Sequence, residues 1–325
     1  MCTAITYLTK DFYFGRTLDY EHGFREELIL TPRNYPFLFR HCGLPAKRYA
    51  ILGMGCVADG YPLYFDGFNE MGLAMAGLNF VGFADYKPVA SGKDNIAQFE
   101  LIPWVLRQCE SVAEAKALLA RINITGDVFR ADIPAARLHW LIADRQEAIA
   151  VEAVADGVRV WENPVGVLTN NPPLDMQMLH LANFMQLSPK PAENRFGVSL
   201  EPYSRGMGAI GLPGDLSSQS RFVRAAFTKL NARCDGGENE NVSQFFHILG
   251  SVEQVKGCCD LGNGQFEHTV YTSCCNASRG IYYYKTYENH SVCGVDMGAE
   301  NLDGAALLRW QLQREMNIEL QNKRD

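Results

Sequence analysis

The chain has 325 residues, a formal net charge of −7, and a composition that is 47% hydrophobic and 21% charged. These values allow a substantial core and disfavour non-specific attraction to nucleic acid or to an anionic membrane surface. No apolar run approaches the ~18 residues of a membrane span, and the first residues lack the basic and apolar regions of a secretory signal. We therefore expect a cytoplasmic protein that neither binds nucleic acid nor inserts into a membrane.

Strand signals dominate the first half of the chain, beginning with runs over 2–7 and 12–18 that flank a short polar turn and predict a hairpin. The remaining predicted elements are strands over 27–30, 49–57, 63–65 and 73–79, helices over 96–109 and 111–122, strands over 137–144, 148–153 and 157–162, helices over 176–187, 221–232 and 241–252, strands over 268–274, 280–286 and 291–295, and a closing amphipathic helix over 303–320. Successive strands interrupted by helix pairs, without regular alternation of strand and helix, predict an α+β fold: an antiparallel sheet sandwich with helices outside.

Residues 188–220 are rich in Pro, Gly and Ser and form a longer connection than compact domains usually contain. Such a segment is functional, an assembly arm, or a domain boundary. The ten cysteines include no Cys-x-x-Cys pattern, so we expect mostly free thiols, no structural zinc site and no cofactor.

Cys2 becomes the amino terminus if Met1 is removed, and we expect the mature chain to begin there. A hairpin turn of three or four residues would pair position 2 with position 16 or 17. Because side chains alternate along a strand, Arg16 and Asp19 can both reach Cys2 only if the strand bends near Leu18.

The chemistry of this cluster suits a nucleophile. A thiol reacts as its thiolate, and an α-amine on the same residue can act as the base. Arg16 would favour the thiolate, while Asp19 could accept hydrogen bonds from the amine and orient it. Small second residues and Arg-x-x-Asp patterns are nevertheless common, so these residues alone favour an ordinary structural role.

Eight segments in chain order resemble the choloylglycine hydrolase family, which contains bile salt hydrolases and penicillin V acylases. They are Cys2-Thr-Ala-Ile, Phe14-Gly-Arg16-Thr-Leu-Asp19, Tyr61-Pro-Leu-Tyr-Phe65-Asp, Ala76-Gly-Leu-Asn79-Phe, Leu138-His-Trp-Leu-Ile-Ala-Asp144, Gly166-Val-Leu-Thr-Asn170-Asn171-Pro172, Gly211-Leu-Pro-Gly-Asp215 and Ser220-Arg221-Phe-Val-Arg. The likeness extends over nearly the whole chain and is greatest to bile salt hydrolases of gut bacteria.

This resemblance implies a single N-terminal-nucleophile hydrolase domain over 1–325, folded as an αββα sandwich of two antiparallel sheets between helical layers. It also implies a homotetramer with an assembly arm at 188–220. The catalytic residues that it implies are Cys2 as nucleophile, Arg16 and Asp19 beside it, Asn79 and Asn170 at the oxyanion, and Arg221.

Each of the last three residues also has a simpler interpretation from the residues themselves. Asn170 could be a turn residue ahead of Pro172, and Asn79 could cap the end of a strand. Arg221 lies near a predicted helix start, where a cation is unfavourable, and this mildly favours a functional reason for it.

The implied reaction is hydrolysis of the amide bond between a bile acid and glycine or taurine, through a thioester. Apolar residues near the motifs that could contact the sterol are Tyr20, Phe24, Phe65, Phe129 and Ile133, and the loop 129–133 is the strongest loop candidate. Any one of them, taken singly, is more often ordinary core.

Three other functions compete with this one. A penicillin V acylase would use the same machinery, although Asn79, where acylases of the family commonly carry an aromatic residue, favours bile salts. A sterol-binding protein without catalysis would predict a disrupted set of catalytic residues. A signal-lactone acylase shares the amide chemistry.

Overall fold

The computed structural model describes residues 1–322, and two large antiparallel sheets face each other across its centre. The six-stranded sheet contains, in spatial order, β12 (Val167–Leu168), β1 (Cys2–Leu8), β2 (Phe12–Tyr20), β13 (His268–Asn276), β14 (Ile281–Thr286) and β15 (Cys293–Asp296). The eight-stranded sheet contains β11 (Gly157–Glu162), β10 (Ala148–Val154), β9 (Leu138–Ala143), β6 (Ala74–Asn79), β5 (Tyr61–Asn69), β4 (Ile51–Ala58), β3 (Glu27–Thr31) and β16 (Leu308–Gln311). A short parallel pair is formed by β7 (Asp94–Ala97) and β8 (Ile122–Thr125). Residues 323–325 of the domain predicted over 1–325 lie outside the described residues.

Helices cover the outer face of each sheet. The α-helices are α1 (Leu101–Leu106), α2 (Val112–Leu119), α3 (Leu174–Leu181), α4 (Ser218–Asn231) and α5 (Glu238–Gly250). Helices α4 and α5 pack on β1 and β13 of the six-stranded sheet, while α1 packs on β5 and β6 of the other. One apolar core fills the space between the sheets and continues to α4 and α5, and a second lies under α1 and α2. This layering confirms the predicted α+β sandwich, and it explains why β1 and β2 are buried on both faces.

The first hairpin has a different register from the predicted one. Leu8 pairs with Phe12, so the turn between them contains three residues. This register pairs Cys2 with Leu18. The prediction of position 16 or 17 was therefore wrong. The expected irregularity near Leu18 is present, because the pairing of β2 with β13 shifts between Thr269 and Tyr271, opposite Asp19 and Leu18.

The helix predicted over 96–109 was too long. Its first residues belong to β7 and to the 3-10 turn Gln98–Glu100, and only Leu101–Leu106 is α-helical. All six residues of α1 are buried, so the run is apolar on every side. A run of this kind has no periodicity that separates helix from strand.

The closing helix predicted over 303–320 was wrong. Residues Leu308–Gln311 form β16, which pairs with β3 at the edge of the eight-stranded sheet. Arg309 there forms an ion pair with the buried Glu27 at 2.7 Å. An unpaired sheet edge presents backbone donors and acceptors, and pairing with them outweighs a modest helix propensity.

The segment 188–220 contains, before α4 begins at Ser218, one regular element, the 3-10 turn Met207–Ala209. Exposed apolar side chains lie along it, including Phe196 and Tyr203. Among the residues that the structure describes, no helix is long and apolar enough to cross a membrane.

Candidate active site

Cys2 opens β1 and is buried, with its backbone held at both ends by side chains from distant parts of the chain. Its N–H donates to Asn170 Oδ1 at 2.7 Å, and its carbonyl oxygen accepts from Arg221 Nη1 at 2.6 Å. The thiol is free. The hairpin, the loop after β12 and helix α4 thus converge on one cysteine.

Arg16 lies on the same face of the hairpin as Cys2 and points between the two sheets. The pairing of β5 with β6 ends at the Asp66–Ala76 pair. The Arg16 guanidinium lies between the two strands just beyond this pair. Its Nη1 donates to the carbonyl oxygen of Gly77 at 2.5 Å and to that of Phe65 at 3.3 Å. Within residues 1–322, the buried Nη2 has no hydrogen-bond partner.

The charge of Arg16 is maintained by its neighbours. Burial opposes the cation, but Cys2, Tyr271 and Asp66 outweigh this effect and raise the pKa of Arg16 above its ordinary value. Cys2 is the largest of these favourable influences. Arg16 is therefore a buried cation at neutral pH.

Asp66 is a buried carboxylate that the sequence reasoning did not identify as functional. Its two oxygens accept hydrogen bonds from the Tyr271 hydroxyl at 2.6 Å and the Tyr282 hydroxyl at 2.5 Å. Burial raises the pKa of Asp66, and Arg16 and the two hydroxyl groups oppose this shift. A single acidic residue within the apolar strand β5 was the available signal in the sequence.

Asp19 lies on the opposite face of β2, toward α4. Its carboxylate accepts from the Thr269 hydroxyl at 2.7 Å and the Thr17 hydroxyl at 3.1 Å, and it lies 4.0 Å from Arg221 Nη1. The main-chain carbonyl of Asp19 accepts from the amino group of Met1 at 2.7 Å, and that amino group also forms an ion pair with Glu267. Asp19 therefore lies beside the start of the chain without contacting Arg16.

Arg221 is the fourth residue of α4 and is fully buried. Besides the Cys2 carbonyl, it donates to Thr3 Oγ1 at 2.6 Å and to Asn170 Oδ1 at 2.8 Å. Burial lowers the pKa of Arg221, and Asp19 and Cys2 oppose this shift. These contacts are consistent with the prediction that the cation near the start of this helix has a functional role.

Asn170 has an orientation fixed by its partners. Because its Oδ1 accepts from both Cys2 and Arg221, its Nδ2 must be the donor, and Nδ2 donates to the Asn79 carbonyl at 2.8 Å. Gln177 Nε2 donates to the Asn170 carbonyl at 2.7 Å. The Asn170 N–H donates to Ser218 Oγ at 2.8 Å. Asn170 is thus a buried link between the end of β6 and Cys2, and Gln177 and Ser218 are supporting residues that the sequence reasoning missed.

The predicted substrate residues separate into two groups. Tyr20, Phe24 and Phe65 form an aromatic cluster, with ring centroids 4.8 Å apart for Tyr20 and Phe24 and 5.6 Å apart for Phe24 and Phe65. Phe129 contacts the rings of Tyr61 and Phe99 instead, and Ile133 also packs against the second core. The structure therefore does not bring Phe129 and Ile133 into the aromatic cluster beside the hairpin.

Comparison with known proteins gives a consistent result. The model of the choloylglycine hydrolase family, linear amide C–N hydrolases, matches residues 2–309. A bile salt hydrolase/transferase from Lactiplantibacillus plantarum is 50% identical over 317 residues, which are 97% of this chain and 98% of the relative.

Solved structures resemble the whole fold. A mutant conjugated bile acid hydrolase from Clostridium perfringens has 36% identity and a TM-score of 0.92, with 99% of this chain and 100% of that chain covered. A penicillin V acylase from Agrobacterium tumefaciens shares the fold, at 20% identity and a TM-score of 0.77, with 96% and 92% covered. These likenesses confirm the predicted αββα sandwich of the N-terminal-nucleophile hydrolase type.

Proposed function

Because the chain belongs to the choloylglycine hydrolase family of linear amide C–N hydrolases, we propose that it hydrolyses the amide bond of glycine- or taurine-conjugated bile salts, with Cys2 as nucleophile. The observation that carries this proposal is the position of Cys2, whose backbone is held by Asn170 and Arg221 beside the cation of Arg16. The choice of bile salts as the substrate is inferred from the 50% identical relative, which is named a bile salt hydrolase/transferase.

In the acylation step, the Cys2 thiolate attacks the amide carbonyl carbon and a carbon–sulfur bond forms. The carbonyl oxygen becomes an oxyanion, which Asn170 Nδ2 and a backbone N–H near Asn79 stabilise as preorganised donors in a buried site. Collapse of this intermediate breaks the carbon–nitrogen bond, and the departing amine takes the proton that the α-amine of Cys2 accepted from the thiol. Water then attacks the thioester with the α-amine as base, and the proton returns to sulfur as the free acid leaves, which restores the thiol.

Removal of Met1 has two effects in this mechanism. It converts the Cys2 nitrogen, which already donates to Asn170 Oδ1, into an α-amine that can carry the proton. It also vacates the position between the Asp19 carbonyl and Glu267 that the amino group of Met1 occupies. Asp19 would then lie beside the new α-amine and orient it.

The aromatic cluster of Tyr20, Phe24 and Phe65 is the proposed contact surface for the sterol. Phe65 lies directly beside the proposed catalytic residues, since its carbonyl oxygen accepts a hydrogen bond from Arg16. A sterol offers a large apolar area, and burial contributes ~25 cal/mol per Å². That energy aids catalysis when it holds the scissile amide against Cys2. Phe129 and Ile133 would contribute from the separate loop 129–133.

The test is a comparison of kcat/KM for glycocholate, taurocholate and phenoxymethylpenicillin on one preparation. We expect both bile salts to exceed the penicillin. A penicillin value equal to or above both would replace the bile salt assignment with the acylase alternative, while leaving the Cys2 mechanism intact. Phe65→Ser should reduce kcat/KM for bile salts more than for a small chromogenic amide, because the small amide does not use the sterol surface.

Acyl transfer is a second candidate activity, favoured by the name hydrolase/transferase of the 50% identical relative. The thioester can be attacked by the nitrogen of an amino acid instead of by water, which forms a new amide and releases the same thiol. Mass spectrometry of reactions supplied with a different amino acid should detect the exchanged conjugate. Its complete absence at high amine concentration would restrict the activity to hydrolysis.

We also propose a cytoplasmic homotetramer in which the segment 188–220 is the assembly arm. Supporting this proposal, Phe196 is 76% and Tyr203 is 85% exposed within one long segment that contains almost no regular structure. Exposed large apolar side chains that form a patch often mark protein contacts.

A further inference from the structure

A buried histidine and a buried glutamate lie behind the proposed oxyanion site, on the inner face of the eight-stranded sheet. His139 on β9 is directly opposite Glu152 on β10, and both side chains are fully buried. His139 Nδ1 lies 3.5 Å from Glu152 Oε1. Neither residue belongs to the catalytic set described above, and burial of polar side chains is costly unless hydrogen bonds compensate for it.

Hydrogen bonds fix the orientation of both side chains. His139 Nε2 lies 2.9 Å from the Thr169 carbonyl oxygen, which can only accept, so Nε2 carries a hydrogen and is the donor. Glu152 accepts from the Leu174 N–H and from Trp161 Nε1, each at 2.9 Å. Within residues 1–322, the buried His139 Nδ1 has no hydrogen-bond partner, so the bond to Thr169 is the hydrogen bond that orients the ring.

The ring of Phe80 is the second contact that holds His139. The rings of Phe80 and His139 stack with centroids 4.2 Å apart and an angle of 8° between their planes. Stacked aromatic rings attract each other and pack in a defined relative position. Phe80 follows Asn79 in the chain, so the ring of His139 contacts the residue next to one proposed oxyanion element.

His139 thereby contacts both elements of the oxyanion site. Its hydrogen bond to Thr169 holds the segment that follows β12 of the six-stranded sheet, in which Asn170 is the next residue. Through Phe80 it holds the end of β6 in the eight-stranded sheet. The separation of Asn170 from Asn79, and hence the geometry presented to the oxyanion, depends on the distance between these two sheets.

We propose that His139, which lies beside Glu152, is a positioning residue that sets the spacing of Asn170 and Asn79 across the two sheets. It acts through Thr169 and Phe80 and does not touch the substrate. This inference rests on the proposed function. Oxyanion donors act in the transition state, so displacing them lowers kcat while KM changes little.

The test compares Glu152→Gln with the double variant Glu152→Gln/His139→Phe on glycocholate. The single variant keeps the donor to Thr169, and the double variant keeps the ring on Phe80 but removes that donor without leaving an unpaired carboxylate. We expect kcat to fall by ~10–100-fold from the single to the double variant, with KM within about threefold, as for a displaced catalytic group. The rate of Cys2 alkylation by iodoacetamide should be equal in both.

Two controls distinguish positioning from general destabilisation. Trp140→Phe alters the next residue of β9, whose side chain packs in the second core, and it should lower thermal stability but leave kcat unchanged. Phe80→Leu removes the ring stacked on His139 without altering His139 or Glu152, and it should lower kcat by about 3–10-fold, a part of the effect of losing one donor. If the double variant does not fold, the kcat of Phe80→Leu decides the test.

Equal kcat in every folded variant overturns the inference, and so does a loss of kcat accompanied by an equal change in the alkylation rate. The wild-type protein is assayed first. An inactive wild type on all bile salts contradicts the proposed function, whereas an active wild type with equally active variants contradicts only the role of His139.

Discussion

At the scale of single residues, Asn170 would perform two separable tasks in the proposed reaction. Its Oδ1 accepts from Cys2 and Arg221, and so positions the nitrogen that would become the α-amine. Its Nδ2 donates toward Asn79, where the oxyanion would form. The two amide atoms therefore serve different steps of the proposed reaction.

Substitution of Asn170 can separate these tasks. Asn170→Ala removes both, and we expect kcat to fall by ~10²–10³, the usual cost of losing one oxyanion donor. Asn170→Asp keeps an acceptor for Cys2 and Arg221 but loses the donor, and its kcat should fall at least as far. Steady-state kinetics on glycocholate is the measurement, and a kinetically silent Asn170→Asp variant would refute the oxyanion assignment.

The sequence predicted some of these residues and missed others for a physical reason. Cys2, Arg16 and Asp19 lie within one hairpin, so their proximity follows from local pairing. Asn79, Asn170 and Arg221 were predicted only through resemblance to a family. Asp66 and Tyr271 are 205 residues apart, and His139 meets Thr169 across two sheets. Contacts of this kind depend on the tertiary fold, which strand periodicity alone does not specify.

At the scale of elements, helix α4 carries Arg221, and its N-terminus is held by Asp215. The Asp215 carboxylate accepts from the Ser217 N–H at 2.9 Å and from the Ser220 hydroxyl at 2.5 Å. Ser217 itself caps the helix by accepting from the Ser220 N–H. Hydrogen bonds from Ser217 and Ser220 lower the pKa of Asp215 to about 2.

This pKa shift predicts a pH-dependent stability. A carboxyl group with a folded pKa below its unfolded value of ~3.9 stabilises the fold above that value, and the contribution is lost as the pH falls toward about 2. Asp215→Ala should lower the free energy of unfolding by about 0.5–1 kcal/mol at pH 6, the lower part of the range for a hydrogen-bonded group, because Asp215 is exposed to solvent. Denaturant unfolding should show this difference shrinking below pH 4. A difference that is constant from pH 6 to pH 3 would contradict the assignment, and Asp215→Asn, which keeps an acceptor, should lose less.

The elements also show where sequence patterns are sufficient. The two strands of the first hairpin were predicted because polar turn residues separate two apolar runs. The residues of β16 were predicted as helix because their strand partner, β3, lies some 280 positions earlier in the chain, as the pairing of Arg309 with Glu27 shows. Edge pairing of this kind leaves little local signal.

At the scale of the whole molecule, the segment 188–220 is a long connection with many exposed side chains. The N–H of Ser188 donates to the Gly208 carbonyl at 2.9 Å, which brings the two ends of its outer part together. Its central residues, 192–204, can therefore be removed without separating the elements on either side.

Replacement of residues 192–204 by a Gly-Ser-Gly linker should convert the proposed tetramer into a smaller species, because the exposed Phe196 and Tyr203 are lost. Light scattering coupled to size-exclusion chromatography measures the mass. The milder variant Phe196→Ser/Tyr203→Ser should weaken assembly in the same direction at low protein concentration. An unchanged mass in the linker variant would refute the role of this segment.

The central claim is that Cys2, as the amino-terminal residue, forms a thioester with a bile acid. The most direct measurement is mass spectrometry of the enzyme quenched in acid during turnover of glycocholate, followed by digestion with trypsin. We predict that the peptide 2–10 begins at Cys2 and carries the mass of one cholyl group, and that Cys2→Ala shows neither adduct nor hydrolysis. Fully active enzyme that retains Met1, or a cholyl group on any other residue, would contradict the account.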